Sequence, residues 1–393
     1  MRIRNALTAA AMTLAVSSVA AQAELAISAN DGKQLRAGDP TPVTPDSVSV
    51  IDLGHFPPKV LGTVNVPASM IGPPGAVAIG PREKFAIVTA AEKYNPADPN
   101  KPSPDDKVSV IDLSVPSKPT VIQTLSAGTG ASGTSINKAG TLALVAAKGD
   151  DAIAIFSVAG NKLTPVGKVQ LEPKSAPTDV VFSPDGRKAY VVAQGASKIV
   201  ELAVNGTGVT RTGNDTAPGR MPYGAVITPD NAYEINTNLG GSMDAPPRVP
   251  GQRGPRVGTI SMIDLNTHQV VASVEVGQTP EHVGLSPDGK YVAVVVANGT
   301  ASAKSDPKFA SVLGILRVFA VGKGTLTEVT HTDSGHWCQG ATFSDNGRLV
   351  LLQCATERDI EVYRFDGKSL TQDKSATLTL ESRPGSISTL RSR

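Results

Sequence analysis

Charged, polar and aromatic residues lie at or just before the start of several short β-rich segments of this chain. The members of this set are Asp179, Arg220, Tyr223, Glu281, His282, His336, Trp337, Gln339 and Arg383. Together they offer a base, an acid, cations and aromatic surface, which recognition of a small polar or anionic ligand requires. The sequence leaves open the alternative that these residues bond neighbouring parts of the fold or line a wet channel.

Two adjacent pairs in this set are the strongest candidates for a site. Glu281 and His282 could form a polar pair, although neighbours in a strand point to opposite faces and only one can face a shared channel. His336 precedes Trp337, the only tryptophan of the chain. That indole could stack on a ligand or pack in the core.

The two cysteines carry the most specific local prediction. Cys338 and Cys354 flank a hairpin around Asn346-Gly347, and a register with a three-residue loop places them directly opposite each other. Opposed residues of antiparallel strands bring Cα atoms to about 4.5 to 5.5 Å, within the disulfide range. In an oxidising compartment we expect a bridge worth roughly 3 kcal/mol. A redox-active pair is the alternative, but Cys-x-x-Cys spacing is absent.

Several other chemistries have no motif in this sequence. It contains no Cys-x-x-Cys-His haem sequence, no His-Glu-x-x-His metal pattern and no Gly-x-Ser-x-Gly nucleophile elbow. Asn30-Asp31-Gly32 resembles half a calcium loop without the remaining ligands. We therefore expect no metal and no cofactor. Three arginines of a Pro-rich loop could attract an anion or simply be solvated: Arg248, Arg253 and Arg256.

The first 23 residues have the order of a cleavable secretory signal. Arg2 and Arg4 precede an Ala- and Leu-rich stretch that ends in Ala21-Gln22-Ala23. No later run approaches the roughly 20 apolar residues of a membrane span. We therefore expect residues 24–393 to form one periplasmic or secreted, monomeric domain. Without the signal, 35 basic residues face 35 acidic ones, a balance that argues against nucleic-acid binding.

A repeated turn divides the rest of the chain into units. Ser183-Pro184-Asp185-Gly186 and Ser286-Pro287-Asp288-Gly289 are the clearest copies, and degenerate ones lie at 80–83, 137–140, 228–231 and 344–347. Proline presets one dihedral, aspartate bonds back to the backbone, and glycine accepts the positive φ of a tight turn. A β-rich segment follows each turn. The repeated turn therefore predicts a series of β-hairpins.

The repeats predict an all-β fold, a seven-bladed β-propeller of four-stranded antiparallel blades. Six units are complete. The seventh is split, because the N-terminal segments 25–30, 48–53 and 60–66 lack a first strand and the C-terminal segment 382–390 lacks partners. Pairing the C-terminal strand with the three N-terminal strands would close the ring and remove free sheet edges.

These units resemble the YVTN β-propeller repeat. The best match runs from Val276-Gly277-Gln278-Thr279-Pro280 through Ser286-Pro287-Asp288-Gly289-Lys290 to Asn298, although Tyr-Val-Thr-Asn never occurs intact. The chain as a whole resembles the YncE-like and lactonase-like seven-bladed propellers. This resemblance implies the fold and a site at the mouth of the central channel. No motif aligns the catalytic residues of those families with positions of this chain.

Four long loops would wall one face of such a propeller, and this favours a binding scaffold for a small polar or anionic ligand or a periplasmic partner protein. They are Asp31 to Asp46, Ala91 to Lys107, Leu239 to Val257 and Gly299 to Val312. They could also be simple insertions.

The alternative, implied by the resemblance, is a lactonase-like hydrolase or lyase. Its site would lie at the channel mouth. His282 or His336 would then be the general base, and Arg220 or Arg383 would stabilise an oxyanion.

Overall fold

A ring of antiparallel sheets surrounds a central channel in the computed structural model of the protein. The structure describes residues 24–34, 43–70, 75–98, 101–243, 257–302 and 304–390, and these form seven sheets. Each sheet is one blade, and its strands follow each other from the channel outward, except that two short strands share the outer edge of the seventh blade. The predicted seven-bladed all-β fold is confirmed.

The first blade is built from both ends of the chain, as the split repeat predicts. From the channel outward it contains β29 (Arg383–Thr389), β1 (Leu25–Asp31), β2 (Ser47–Asp52) and β3 (Lys59–Asn65). The pairing of β29 with β1 is antiparallel and runs from Ala26 opposite Thr389 to Asp31 opposite Arg383. Because β29 also contacts the innermost strands of the second and seventh blades, this pairing closes the ring.

The other six blades follow one another along the chain. Blades two to four contain β4 (Val77–Ile79), β5 (Phe85–Lys93), β6 (Ser103–Asp112), β7 (Thr120–Ser126), β8 (Ala131–Ile136), β9 (Leu142–Ala147), β10 (Ala152–Ala159), β11 (Lys162–Gln170), β12 (Pro177–Phe182), β13 (Lys188–Ala193), β14 (Lys198–Asn205) and β15 (Gly208–Arg211). Blades five to seven contain β16 (Pro222–Ile227), β17 (Tyr233–Asn238), β18 (Val257–Asp264), β19 (Gln269–Gln278), β20 (Pro280–Leu285), β21 (Tyr291–Val296), β22 (Gly314–Gly322), β23 (Thr325–Ser334), β24 (Cys338–Phe343), β25 (Leu349–Cys354), β26 (Asp359–Phe365), β27 (Leu370–Gln372) and β28 (Leu378–Thr379). Short 3₁₀ helices cover Pro81–Glu83, Lys148–Asp150 and Lys374–Ala376.

The turns between first and second strands are held by their own side chains, as their sequences predict. In the fourth blade, the Ser183 hydroxyl donates to Asp185 Oδ1 at 2.6 Å, and the same oxygen accepts the Arg187 backbone N–H at 3.0 Å. Gly186 takes a φ of 71°, which side chains with a Cβ rarely adopt. We call the end of the channel that carries these turns the turn face. The opposite end, where the innermost strands begin, is the looped face.

Apolar side chains on both faces of each sheet form the core, which lies between neighbouring blades. Val191 of β13 points towards the third blade and packs near Leu144 of β9. The next residue, Val192, points the other way and packs near Ile227 of the fifth blade. The strands alternate in this way because successive side chains of a strand face opposite sides of its sheet. This packing fixes the innermost strands around the channel.

One predicted long loop is partly strand. Within residues 91–107, β5 and β6 continue to pair, with Glu92 opposite Pro104 and Lys93 opposite Ser103. This pairing holds the backbone of Glu92 in the ladder between β5 and β6. None of the helices in the described ranges is long and apolar enough to cross a membrane.

Candidate functional site

Innermost strands begin with an irregularity in their pairing at the looped face. The register shifts within the first residues of β8, β12, β16, β20 and β24. Such bulges turn side chains away from the regular ladder and are common beside active sites. Five of the predicted residues lie in or directly beside these bulges: Asp179, Tyr223, Glu281, His282 and Gln339.

The structure brings the nine predicted residues to this end of the channel but buries most of them. The buried ones are Asp179, His282, His336, Trp337, Gln339 and Arg383. Arg220, Tyr223 and Glu281 are half-buried and lie at the start of the neighbouring fifth and sixth blades. The Arg220 guanidinium donates to the Met243 carbonyl at 3.0 Å. The accessible part of the predicted set is therefore limited to one side of the mouth.

Both candidate histidines are bonded to other parts of the fold. His282 Nδ1 accepts the Ala341 backbone N–H at 3.1 Å, which ties β20 to β24. His336 Nδ1 lies 2.6 Å from Glu357 Oε1, and its Nε2 donates to the Phe309 carbonyl at 2.7 Å. The Phe309 ring also stacks on the imidazole, with 3.8 Å between ring centroids. These contacts hold the loop around Phe309 in place and occupy the ring nitrogens of His336.

Trp337 and Arg383 likewise serve the fold in this structure. The indole of Trp337 packs with Met70 and Ala355, which agrees with the core-packing alternative. Arg383 donates from Nε to the Gln34 carbonyl at 3.1 Å and from Nη1 to the Ala355 carbonyl at 2.8 Å. Burial lowers the pKa of its guanidinium, and the negative charge of Asp31 opposes that shift.

A buried ionic cluster, which the sequence analysis did not identify, lies beside Arg383 in the first blade. Lys33 Nζ lies 3.1 Å from Asp31 Oδ2 and 3.0 Å from Asp46 Oδ2, and it also donates to the Ala68 carbonyl. Asp31 accepts the backbone N–H groups of Lys33 and Met70, each at 2.8 Å. In the sequence Asn30-Asp31-Gly32, which resembles half a calcium loop, the Asp31 carboxylate is thus bonded to donors of the protein itself.

Glu92 and Lys148 are half-buried groups of opposite charge that lie on neighbouring blades next to this cluster. Glu92 accepts the Gln34 side-chain amide at 3.1 Å, and Lys148 Nζ donates to Gln194 Oε1 at 3.2 Å. Burial raises the pKa of Glu92, and the positive charges of Lys33 and Lys148 oppose this. Burial lowers the pKa of Lys148, and Glu92 opposes it. A carboxylate with increased basicity thus stands near an amine with increased acidity.

The sequence did carry a signal for this pair. Lys148 and Gln194 each follow directly after the second strand of a blade, and Glu92 lies at the end of β5. The ends of second strands share the looped face with the starts of innermost strands. The candidate site residues predicted from the sequence all lie at the starts of innermost strands, and Glu92 was included only as part of the predicted long loop from Ala91 to Lys107.

A second buried carboxyl group, Glu234 of β17, lies close enough to Asp179 for their charges to interact. Neither carboxyl oxygen of Glu234 has a hydrogen-bond partner among the described residues, and its side chain is fully buried. Asp179 accepts the backbone N–H groups of Val180 at 2.9 Å and Ala225 at 3.4 Å. Burial, and secondly the negative charge of Asp179, raise the pKa of Glu234 well above 4.5. The neutral form of Glu234 is therefore favoured between the fourth and fifth blades.

The predicted disulfide between Cys338 and Cys354 is present, and the two residues are directly opposed. The register nearer the turn differs by one residue from the predicted register, because Ala341 pairs with Leu352. The bulge between Cys338 and Ala341 restores the pairing of the cysteines. The prediction was thus correct for the bridge and wrong for the three-residue loop and its register.

Across the described ranges, no cluster of three or more His, Cys, Asp and Glu residues could hold a metal ion. The three arginines proposed as an anion attractor, Arg248, Arg253 and Arg256, lie outside the described residues, as does the N-terminal segment 1–23.

A family match falls on a part of the chain that contributes residues to this mouth. Residues 117–222 match the model described as "Lactonase, 7-bladed beta-propeller". This segment includes Lys148, Asp179, Gln194 and Arg220. The fold defines the chain as a seven-bladed β-propeller, and residues 117–222 are similar to the lactonase family of such propellers.

Solved structures of several proteins share the fold at low sequence identity. The periplasmic gluconolactonase of Pseudomonas aeruginosa has a TM-score of 0.68 and 14% identity, covering 94% of this chain and 99% of its own. A functionally unknown protein of Desulfotomaculum acetoxidans has a TM-score of 0.66 and 12% identity, covering 94% of this chain and 100% of its own. Hydrazine synthase of Kuenenia stuttgartiensis has a TM-score of 0.61 and 12% identity, covering 82% of this chain and 91% of its own.

A curated relative matches a smaller part of the chain. Antigen Lp49 of Leptospira interrogans is 30% identical over 108 residues, which is 28% of this chain and 23% of the antigen. The match thus spans about a quarter of that relative's length. At these identities the solved structures establish the fold alone.

Proposed function

We propose that this protein is a lactonase-like hydrolase that opens a small, polar lactone at the looped face of its channel. The observation that carries the proposal is the lactonase match over residues 117–222, because that segment supplies Lys148 and Gln194 to the mouth. The fold shared with a periplasmic gluconolactonase favours a sugar-type lactone as the first substrate to test.

Glu92 and Lys148 are suited to the two tasks of lactone hydrolysis. Glu92 would take a proton from water, whose oxygen then forms a bond to the lactone carbonyl carbon. Lys148 would stabilise the negative charge that develops on the carbonyl oxygen. Collapse of the tetrahedral intermediate breaks the ring C–O bond, and the proton held by Glu92 passes to the leaving alkoxide. The product is the open hydroxy acid.

The remaining half-buried groups of the mouth would orient the substrate. Tyr223 offers a hydroxyl and an aromatic face, and Arg220 offers a cation beside the 241–243 segment. Such groups match the hydroxyls of a sugar lactone and the carboxylate of its product. In this arrangement His282 and His336 support the walls of the mouth instead of acting as bases.

We also propose that the mature protein works outside the cytoplasm as a monomeric domain of residues 24–393. The disulfide between Cys338 and Cys354 supports this location, since such bonds persist in oxidising compartments. The signal-like order of residues 1–23 supports export as well.

The test is hydrolysis of δ-gluconolactone by the purified protein, followed as acid release in a pH-stat above the spontaneous rate. Glu92→Gln and Lys148→Met should each lower kcat/KM by about 100-fold, because each removes one half of the catalytic pair. Two exposed residues of outer strands provide matched controls, Glu275→Gln and Lys168→Met, and these should retain full activity.

The pH dependence adds an independent readout. The rate should rise with an apparent pKa above 4.5, because Glu92 must be ionised, and fall with one below 10.5, because Lys148 must be protonated. Absence of turnover on sugar, aliphatic and aromatic lactones would contradict the proposal. Saturable binding of such lactones without turnover would instead support the binding-scaffold interpretation.

A further inference from the structure

We propose a second binding site, for a small amphipathic anion, in a cavity at the turn face of the channel. This cavity lies at the opposite end of the innermost strands from the looped face, so it is separate from the proposed lactone site. Its volume is about 410 Å³, within the range of roughly 300 to 1,000 Å³ that small-molecule pockets occupy.

The wall of the cavity is apolar because the same position of successive blades carries a large apolar residue. The last residues of five innermost strands line it: Ile79, Ile136, Phe182, Ile227 and Leu285. Leu390, which follows β29 directly, adds a sixth. Blades one to six thus contribute one side chain each to a ring around the channel end. The ring offers a surface for the hydrocarbon part of a ligand.

Hydroxyl groups of the cavity wall already form hydrogen bonds with other groups of the protein. The Thr134 hydroxyl donates to the Leu144 carbonyl at 3.0 Å, and Ser135 Oγ accepts the Phe182 backbone N–H at 3.3 Å. The Ser183 hydroxyl is bonded to Asp185 in the turn. A ligand therefore contacts mostly carbon atoms inside the cavity. A polar ligand would lose hydrogen bonds to water there and form few new ones with the protein.

The rim of the cavity is positively charged. Arg82 and Lys138 line it, both are exposed, and neither forms an ion pair with a described residue. None of the described lining residues is acidic. An apolar wall below two cations fits a molecule with a hydrocarbon or aromatic body and one anionic group, such as a medium-chain carboxylate or an aryl sulfonate.

The experiment uses 8-anilinonaphthalene-1-sulfonate, an aromatic anion whose fluorescence increases in apolar surroundings, with the full mature protein. We expect saturable binding of one molecule, displaced by octanoate and not by octyltrimethylammonium. Arg82→Gln with Lys138→Gln should weaken binding by about five- to tenfold, since two exposed charge contacts are lost. Both residues are exposed, so the double variant should remain folded.

A matched control removes two other cations of the turn face. Arg187 and Lys290 lie near Asp185 and Asp288 and do not line this cavity. Arg187→Gln with Lys290→Gln should leave the affinity unchanged, as should Lys148→Met at the looped face. Unsaturable binding, equal displacement by the cationic amphiphile, or full affinity in the Arg82 and Lys138 variant would overturn the proposal.

Discussion

Replacing Glu234 by glutamine should remove a pH-dependent loss of stability. In the folded protein this fully buried carboxyl has a pKa well above 4.5, because burial and the nearby Asp179 disfavour its ionised form. The unfolded chain releases the proton at the ordinary carboxyl pKa. Folding above that pH therefore takes up one proton, and the free energy of unfolding decreases as pH rises.

The expected size follows from the linkage between protonation and stability. The contribution of Glu234 is complete below the unfolded pKa and is lost as pH rises towards the raised pKa of the folded state. While the folded carboxyl stays protonated, each pH unit costs about 1.4 kcal/mol. One proton per molecule sets the upper limit of this slope, so between pH 5 and pH 7 the wild type should lose up to about 2.7 kcal/mol relative to Glu234→Gln.

Urea unfolding followed by far-ultraviolet circular dichroism, at half-unit steps from pH 5 to pH 7, measures this difference. Other groups with raised pKa values, such as Asp359 and Glu361, contribute equally to both proteins and cancel in the comparison. Glu275→Gln, at an exposed position of β19, is the control and should follow the wild type. Parallel curves for wild type and Glu234→Gln would show that the carboxyl is ionised in the folded protein and would refute the reasoning.

Two further predictions concern stability. The double variant Cys338→Ala with Cys354→Ala should lose about 3 kcal/mol of unfolding free energy, because the bridge restricts the unfolded chain. Its urea midpoint should match that of the reduced wild type. A midpoint equal to that of the oxidised wild type would contradict this. Lys33→Met should lose about 3 to 5 kcal/mol, because the buried Asp31 and the half-buried Asp46 remain without their cation. Lys168→Met on β11 should change the midpoint little, and equal effects of the two lysine variants would argue against a stabilising role of the cluster.

The fold could be predicted because its determinants are local and repeated. The turn Ser183-Pro184-Asp185-Gly186 encodes its own hydrogen bonds, so its sequence alone predicts a hairpin. Ring closure could also be predicted. The N-terminal unit lacks its innermost strand, and the C-terminal strand lacks partners, so pairing the two completes one blade. The bulge between Cys338 and Ala341 was not predicted, since nothing in the local spacing marks an extra residue.

The site could be predicted only in part, because its members come from different blades. Residues before the innermost strands were found from their position in the repeat. Glu92 and Lys148 were missed, although they stand at ends of second strands that face the same mouth. The roles of His336 and Trp337 depend on partners far along the chain, Phe309 and Met70. Such contacts follow from the packing of blades and not from sequence spacing.

A crystal structure of the protein soaked with gluconate, the product expected from δ-gluconolactone, would locate the proposed site directly. We predict density for one gluconate at the looped face, with its carboxylate within hydrogen-bonding distance of Lys148 and its chain near Tyr223. Gluconate at the turn face alone, or an empty looped face at concentrations that inhibit turnover, would contradict this prediction.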